Sequence, residues 1–325
     1  MRVAIPLLLA TGALILSALP VTAHAQNWLS KPVKLVVPFP PGGALDLMAR
    51  LVGQAASESL GQPILVENRP GADSIIGAEL VARAAPDGHT LLVGNASSHG
   101  ANVYMYRNKK LSYDPIRDFA PITGAVESIT CIAVPASLPV RNLKEFIDYA
   151  KQNAAKLSWA SSGTGGAYHL TGLGVLSLAG VEIQHIPYKG LAPALTALVA
   201  GEIQMTSTAL GVTDTLARSG KIRILAVTEG HRYSGMPEVP AVVEILPEYR
   251  SSTVWSGFFA PAGTPRAVVM RLNADLLKGL NSPAVRSKLE ATEVIGGTPE
   301  QFGEYMKGQI ETYARLATLA NIAPH

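Results

Sequence analysis

From Lys31 onward the apolar positions switch repeatedly between two periods. Residues 33–37 form a short apolar run, the pattern of a buried strand. Leu45, Met48, Val52 and Ala56 then recur at helical spacing, and Gly61 is placed to end that helix as a C-cap. Residues 64–67 read as a second strand and Asn68-Arg69-Pro70-Gly71 as a turn. A helix over 76–85 stops at Pro86-Asp87-Gly88, and 91–94 makes a third strand. Strand, helix, strand, helix, strand with short loops predicts a parallel, right-handed α/β unit.

A second unit of the same kind follows. Helices are expected over 143–154, 169–178 and 193–200, and strands over 157–160, 183–186, 203–206 and 222–227. Near the end, Thr264-Pro265 opens a helix with Val268, Val269, Leu272, Leu276 and Leu280 on one face. Thr298-Pro299-Glu300-Gln301 opens another with capping-box spacing and proline at N1. Between the units, 119–134 and 252–261 are apolar, β-branched or aromatic, and suited to extended crossings. Two crossings make the first unit discontinuous and predict a hinged, two-lobed body with a cleft. The expected division is 1–25 as a leader, 26–125 plus 254–325 as lobe 1, and 126–253 as lobe 2.

The leader changes the picture most. Arg2 supplies a positive start, 7–19 is almost wholly apolar, and Ala23-His24-Ala25 is an A-x-A cleavage pattern before Gln26. This predicts a secretory signal peptide, cleavage after Ala25 and an exported protein. The apolar run falls short of the roughly 20 residues a spanning helix needs. Cys131 is the only cysteine among 325 residues, so no internal disulfide can form and stability must come from packing. Hydrophobic residues make up 48% and charged residues 16%, the balance of a folded globular chain. A net charge of +3, with no basic block carrying interleaved aromatics, gives no surface for nucleic acid.

Several chemistries lack their motifs. There is no G-x-S-x-G, no H-E-x-x-H, no C-x-x-C and no G-x-x-x-x-G-K-[ST]. Gly163-Thr164-Gly165-Gly166-Ala167-Tyr168 departs from a dinucleotide loop at its sixth position. Neither cofactor nor metal is expected. A hydrolase built on Ser161 or Ser162 with His169 would need an orienting acid that the sequence does not supply. His99 and His169 stand out among the histidines because both follow polar loops at strand ends.

Two strand-to-helix corners carry the chemistry that remains. In Pro38-Phe39-Pro40-Pro41-Gly42-Gly43-Ala44-Leu45-Asp46, three prolines stiffen the loop without adding donors, and the amides of residues 42–45 sit where a helix begins. The first amides of a helix lack internal partners and the dipole favours negative charge, so this corner suits an anion, a carboxylate above all. The competing reading is a stiff turn whose amides are capped by Asp46 or by water. Ser161-Ser162-Gly163-Thr164-Gly165-Gly166 repeats the arrangement in the second unit, adding hydroxyls.

These stretches, with Lys31-Pro32, Val66-Glu67-Asn68-Arg69-Pro70-Gly71-Ala72, Ala85-Pro86-Asp87-Gly88, Tyr113-Asp114-Pro115 and Asp118-Phe119-Ala120-Pro121, resemble the Bug family of periplasmic solute receptors. So do Pro187-Tyr188-Lys189-Gly190, Leu225-Ala226-Val227-Thr228 and Ala260-Pro261-Ala262-Gly263-Thr264-Pro265, in order and almost end to end. The resemblance implies a type II Venus-flytrap fold, no catalysis, and delivery of a small carboxylate to the membrane subunits of a tripartite tricarboxylate transporter. A sensory role on the same fold would differ in partner, not in site. A monomer is expected.

By the same resemblance, one ligand carboxylate is held by the loop containing Phe39, Gly42, Gly43, Ala44 and Asp46, and the other side by Ser161, Thr164, Gly165, Gly166, Tyr168 and His169. Ser97, Ser98 and Thr208 complete the candidate set. This chain departs from the family pattern in four places. Ala44-Leu45 replaces a hydroxyl pair, and Gly166-Ala167 replaces Thr and Ser. Thr208 stands where amino-acid-binding members carry an aspartate, and Asp73 where glycine is usual. A ligand without an ammonium group, an aromatic or aliphatic mono- or dicarboxylate, is therefore expected, with Tyr168 either stacking on a ring or packing at the lobe surface.

Overall fold

The computed structural model describes residues 28–319 and 323, apart from 110, 251, 252 and 290. The expected leader, 1–25, lies outside the described residues. The chain begins with β1 (Val33–Val37), α1 (Ala44–Leu60), β2 (Ile64–Asn68), α2 (Ile75–Ala82) and β3 (Thr90–Asn95). The short α3 (Asn102–Met105) and β4 (Phe119–Ser128) follow. The second sheet is built from β5 (Thr130–Pro135), α4 (Leu143–Asn153), β6 (Ser158–Ser161), α5 (Ala167–Leu178) and β7 (Gln184–Pro187). It continues with α6 (Leu191–Ala200), β8 (Met205–Ala209), α7 (Leu210–Arg218), β9 (Ile222–Val227) and the single turn α8 (Val242–Ile245). The chain then returns through β10 (Val254–Pro261), α9 (Arg266–Leu280), α10 (Pro283–Arg286), β11 (Thr292–Gly296) and α11 (Pro299–Leu319).

The first sheet runs β11-β4-β10-β3-β1-β2, with β1 parallel to both neighbours. The second runs β7-β6-β8-β5-β9, with β6 parallel to β7 and β8. Strand β1 reads as a nearly continuous apolar run because helices cover both of its faces. Val33, Leu35 and Val37 pack with Met48, Val52, Leu272 and Leu276 of α1 and α9. Val36, on the opposite face, joins Ala78, Val81, Phe302 and Tyr313. In the second lobe Ile132, Trp159, Met205 and Leu225 meet α4 and α5, while Ala133, Ala160 and Ile203 meet α6. The fold is the two-lobed α/β arrangement expected from the alternation.

Some local expectations needed correction. Segment 119–134 is two strands in different sheets, joined at Ile129, whose amide donates to Ala291 at 3.0 Å while its carbonyl accepts from Leu210 at 2.7 Å. The strand placed at 203–206 begins at Met205, because Ile203 is used in the turn after Gly201, the left-handed C-cap of α6. Helix α7 and strand β11 have no counterpart in the sequence reading. The Thr298–Gln301 capping box forms: Thr298 N–H donates to Gln301 Oε1 at 2.9 Å and Gln301 N–H to Thr298 Oγ1 at 3.3 Å.

Candidate functional site

In both sheets the parallel strands point their carboxyl ends toward the side where the chain crosses between lobes, the edge at which open α/β sheets bind ligands. In lobe 1 the loops after β1, β2 and β3 lie there. Gly42 adopts φ +85, a left-handed conformation that favours glycine. Its amide donates to Asp46 Oδ2 at 3.0 Å. The same carboxylate accepts from Arg50 Nε at 3.0 Å and, on Oδ1, from Asn68 Nδ2 at 2.8 Å. Asn68 also donates to the Phe39 carbonyl at 3.0 Å. Burial alone would raise the Asp46 pKa, but the bonds from Arg50, Gly42 and Asn68 outweigh it and hold the carboxyl below the usual range. Asp46 therefore braces the loop from beneath. Capping by Asp46 holds for the Gly42 amide, whereas no side chain caps the start of α1 at Gly43, and residues 40–44 are exposed. The amides of Gly43, Ala44 and Leu45 are what this corner offers to an anion.

The loop after β2 is conformationally unusual. Ala72, Asp73 and Ser74 take φ values of +46, +46 and +78, each costing on the order of 1 kcal/mol or more. Two asparagines hold the run: Asn102 Nδ2 donates to the Asp73 carbonyl at 2.9 Å, and Asn95 Nδ2 to Ser74 Oγ at 3.1 Å. Asn95 Oδ1 in turn accepts from the amides of Ser97 and Ser98. Ser98 is fully buried, with Oγ accepting from the Asn95 amide at 3.0 Å and 2.9 Å from His99 Nδ1. His99 stacks on Phe259 at 4.1 Å, and burial lowers its pKa to about 3, so it is a neutral core ring. Ser97 is buried and hydrogen-bonds the Asp73 carboxyl.

In lobe 2, α5 starts at Gly166, again without a side-chain cap. Gly163 and Gly165 have φ of +147 and +82. The Gly165 amide donates to His169 Nδ1 at 3.0 Å. That ring stacks on Trp159 and lies 4.2 Å from His185; burial and the neighbouring His185 lower its pKa to about 4. His169 is thus a neutral ring that shapes the loop. Ser161 is fully buried: its Oγ lies 2.8 Å from the Gly163 carbonyl and 2.9 Å from His185 Nε2, donating to the first and accepting from the second. Thr164 is exposed at the loop tip. Tyr168 is half-buried, and desolvation raises its phenol pKa, with Cys131 and Glu229 adding repulsion. It is thus close to the hinge strands.

Thr208 is buried on β8 opposite Cys131, and neither its hydroxyl nor that of Ser207 has a partner among the described residues. Beside them stands Glu229, which the sequence reading passed over. Its Oε1 accepts from the Thr130 amide at 2.8 Å, Oε2 is unpaired among the described residues, and burial pushes its pKa up to about 7. Cys131 is a buried thiol pushed up to about 12.

The lobes touch at one corner of this edge. A Cβ placed on Gly165 would stand 3.1 Å from Met105 Cε, and one on Gly166 would stand 3.5 Å from Asp73 Oδ2 and 3.9 Å from Ser97 Oγ. The structure thus brings Ser97, Gly165 and Gly166 together with Asp73 and Met105. No second-lobe atom lies within 4 Å of a Cβ built on Gly42 or Gly43, so the 38–46 loop is a separate part of the same wall. A surface concavity of about 730 Å³ between α1 and β2 lies elsewhere and is open to solvent. Among the described residues no cluster of three or more His, Cys, Asp or Glu could hold a metal, and no helix is long and apolar enough to cross a membrane.

Two α/β lobes joined through Ile129, each presenting an uncapped helix start at the carboxyl ends of parallel strands, define a two-lobed solute-binding protein. The family model described as tripartite tricarboxylate transporter family receptor matches residues 48–319, and the chain belongs to that family, bearing out the resemblance to the Bug receptors. It is 38% identical over 291 residues to a UPF0065 protein encoded in the tcbD-tcbE intergenic region of a Pseudomonas species, covering 88% of this chain and 85% of the relative. The structure of Rpa4515 from R. palustris with adipate superposes with a TM-score of 0.84 at 34% identity, covering 92% of this chain and all of that one. MatC from Rhodopseudomonas palustris with bound malate gives 0.79 at 32%, covering 89% and 99%.

Proposed function

We propose that the protein is an exported receptor that captures a small carboxylate without an ammonium group, an aromatic or aliphatic mono- or dicarboxylate, and delivers it to the membrane subunits of a tripartite tricarboxylate transporter. The observation that carries this reading is the pair of uncapped helix starts, at Gly43 in lobe 1 and Gly166 in lobe 2. One supplies a seat of amides, and the other adds the Thr164 hydroxyl at its loop. Charge-assisted hydrogen bonds contribute about 1.5–3 kcal/mol each, and micromolar affinity needs about 8 kcal/mol. Two or three bonds fall short once ordering costs are subtracted, so closure of the lobes around the ligand contributes the remainder. The adipate and malate of the two R. palustris relatives support the carboxylate class.

Thr208 offers a hydroxyl where a carboxylate would pair with an ammonium, which favours ligands lacking one. Catalysis is not part of this reading, since the Ser161 hydroxyl donates to a carbonyl and is fully buried. Removal of 1–25 on export and a monomeric mature chain complete the proposal. A thermal-shift panel of carboxylates tests it, because a ligand at 100 times its dissociation constant adds about 2.7 kcal/mol. Hits should compact the molecule in small-angle scattering. Tight binding of aspartate or glutamate, with aromatic and unsubstituted aliphatic acids inert, would overturn the ligand class.

A further inference from the structure

Asp73 is the acidic side chain that reaches across the lobe contact. Its carbonyl is held by Asn102, and its carboxyl takes a hydrogen bond from Ser97 and lies beside Gly166 at the start of α5. The side chain is solvent-accessible, yet the protein around it raises its pKa by desolvation. Among the described residues no Lys, Arg or His forms an ion pair with it. A carboxyl group with no cationic partner among the described residues thus stands next to the amides that the second lobe would offer to an anion.

We propose that Asp73 is the specificity-determining residue of the cleft: it excludes a second carboxylate from the α5 side and selects a monocarboxylate whose far end carries an uncharged hydrogen-bond donor, such as a hydroxyl or a primary amide. This rests on the receptor reading above and narrows it. The first carboxylate goes to the amides of Gly43, Ala44 and Leu45. At the other end, a ligand hydroxyl or amide N–H donates to Asp73, while its oxygen accepts from the α5 amides. A dicarboxylate would set a second carboxylate against the Asp73 carboxyl, and the pair must then either bear like charges or take up a proton, a cost that a ligand hydroxyl or amide avoids.

The test uses matched pairs, adipate against its monoamide and terephthalate against 4-carbamoylbenzoate, titrated calorimetrically into the mature protein, Asp73→Asn and Asp73→Gly. Both variants tolerate the left-handed backbone at this position, so they should fold. The wild type should prefer the monoamide of a pair that binds by roughly tenfold or more. Both variants should lose that preference, chiefly by gaining affinity for the dicarboxylate. A wild type that prefers the dicarboxylate, or a ratio unchanged in either variant, overturns the assignment of Asp73 and leaves the receptor reading standing. If no carboxylate of a wider panel binds the wild type, the receptor reading fails and this one with it.

Discussion

The Gly42 amide donates to the Asp46 carboxylate across 3.0 Å, and this bond gives the acidic residue in the first turn of α1 a structural task. The loop is pinned from within, and its outer amides stay exposed. Asp46→Ala would leave the Gly42 amide, Arg50 and the Asn68 amide without their shared acceptor. A loss of about 2–4 kcal/mol is expected in urea unfolding, together with weaker ligand binding. The bonded carboxyl has a lowered pKa, so its contribution is present above the ordinary carboxyl range and is lost as pH falls through the native value. Wild type and Asp46→Asn should therefore differ most at neutral pH and converge in acid.

Closure can be tested at the Gly165–Met105 contact. Gly165→Val introduces a side chain where φ is +82 and where even a Cβ meets Met105 Cε at 3.1 Å. The open form should gain at the expense of the closed one, read as a larger radius of gyration with ligand and an affinity loss of about tenfold or more. Gly165→Ala combined with Met105→Ala relieves the contact but not the backbone penalty. Partial recovery of affinity in that pair would separate the two causes. A single variant that compacts and binds like wild type would remove this corner from the closing motion.

Much of this fold is written in periodicity. Val33, Leu35 and Val37 against Val36 already specify a strand covered on both faces, and Gly61 marks the end of α1 at φ +78. The Thr298–Gln301 box was legible for the same reason: capping is local, and its partners lie three residues apart. Ile129 was not legible as a junction, because an apolar stretch looks alike whether it stays in one sheet or crosses between two. The binding corners showed through their glycines and prolines, but the direction of each side chain did not. Asp46 and His169 turn inward to loop amides, and Ser161 turns to His185, choices set in two of the three cases by neighbours 22 and 24 residues away. Asn95 gave a usable signal, a polar residue closing a buried strand just before two serines. Glu229 gave none, since its burial depends on Thr130, distant in sequence.

Glu229 makes stability depend on pH in the opposite sense from Asp46. Burial raises its pKa from 4.5 to about 7, with Thr130 donating to it and Glu127 adding repulsion; Tyr168 and Cys131 also face it. Between those values the folded protein holds more protons than the unfolded chain, so stability falls as pH rises through the window. Glu229→Gln keeps the acceptor for the Thr130 amide and removes the charge. The variant should gain on wild type between pH 5 and 8, by at most about 3 kcal/mol, in thermal or urea unfolding. Parallel curves for the two proteins would show that the carboxyl titrates normally.

The hinge has a staple of its own in α11. Tyr305 donates to Glu127 at the end of β4 and lies 2.9 Å from Thr253 Oγ1 on the returning crossing, while Tyr313 donates to the Thr253 carbonyl. One helix thus ties both crossings to lobe 1. Tyr305→Phe removes the phenol and little volume. A loss of about 1–2 kcal/mol is expected, and a double-mutant cycle with Glu127→Gln should show a coupling of about 1 kcal/mol. Hydrogen exchange should quicken at Glu127 and Val254 while β1 and β6 stay protected, because a loosened staple frees the crossings without disturbing either core. Additive effects in the cycle, with exchange unchanged at the crossings, would mean that the hinge is held by packing around Trp255 and Phe302 alone.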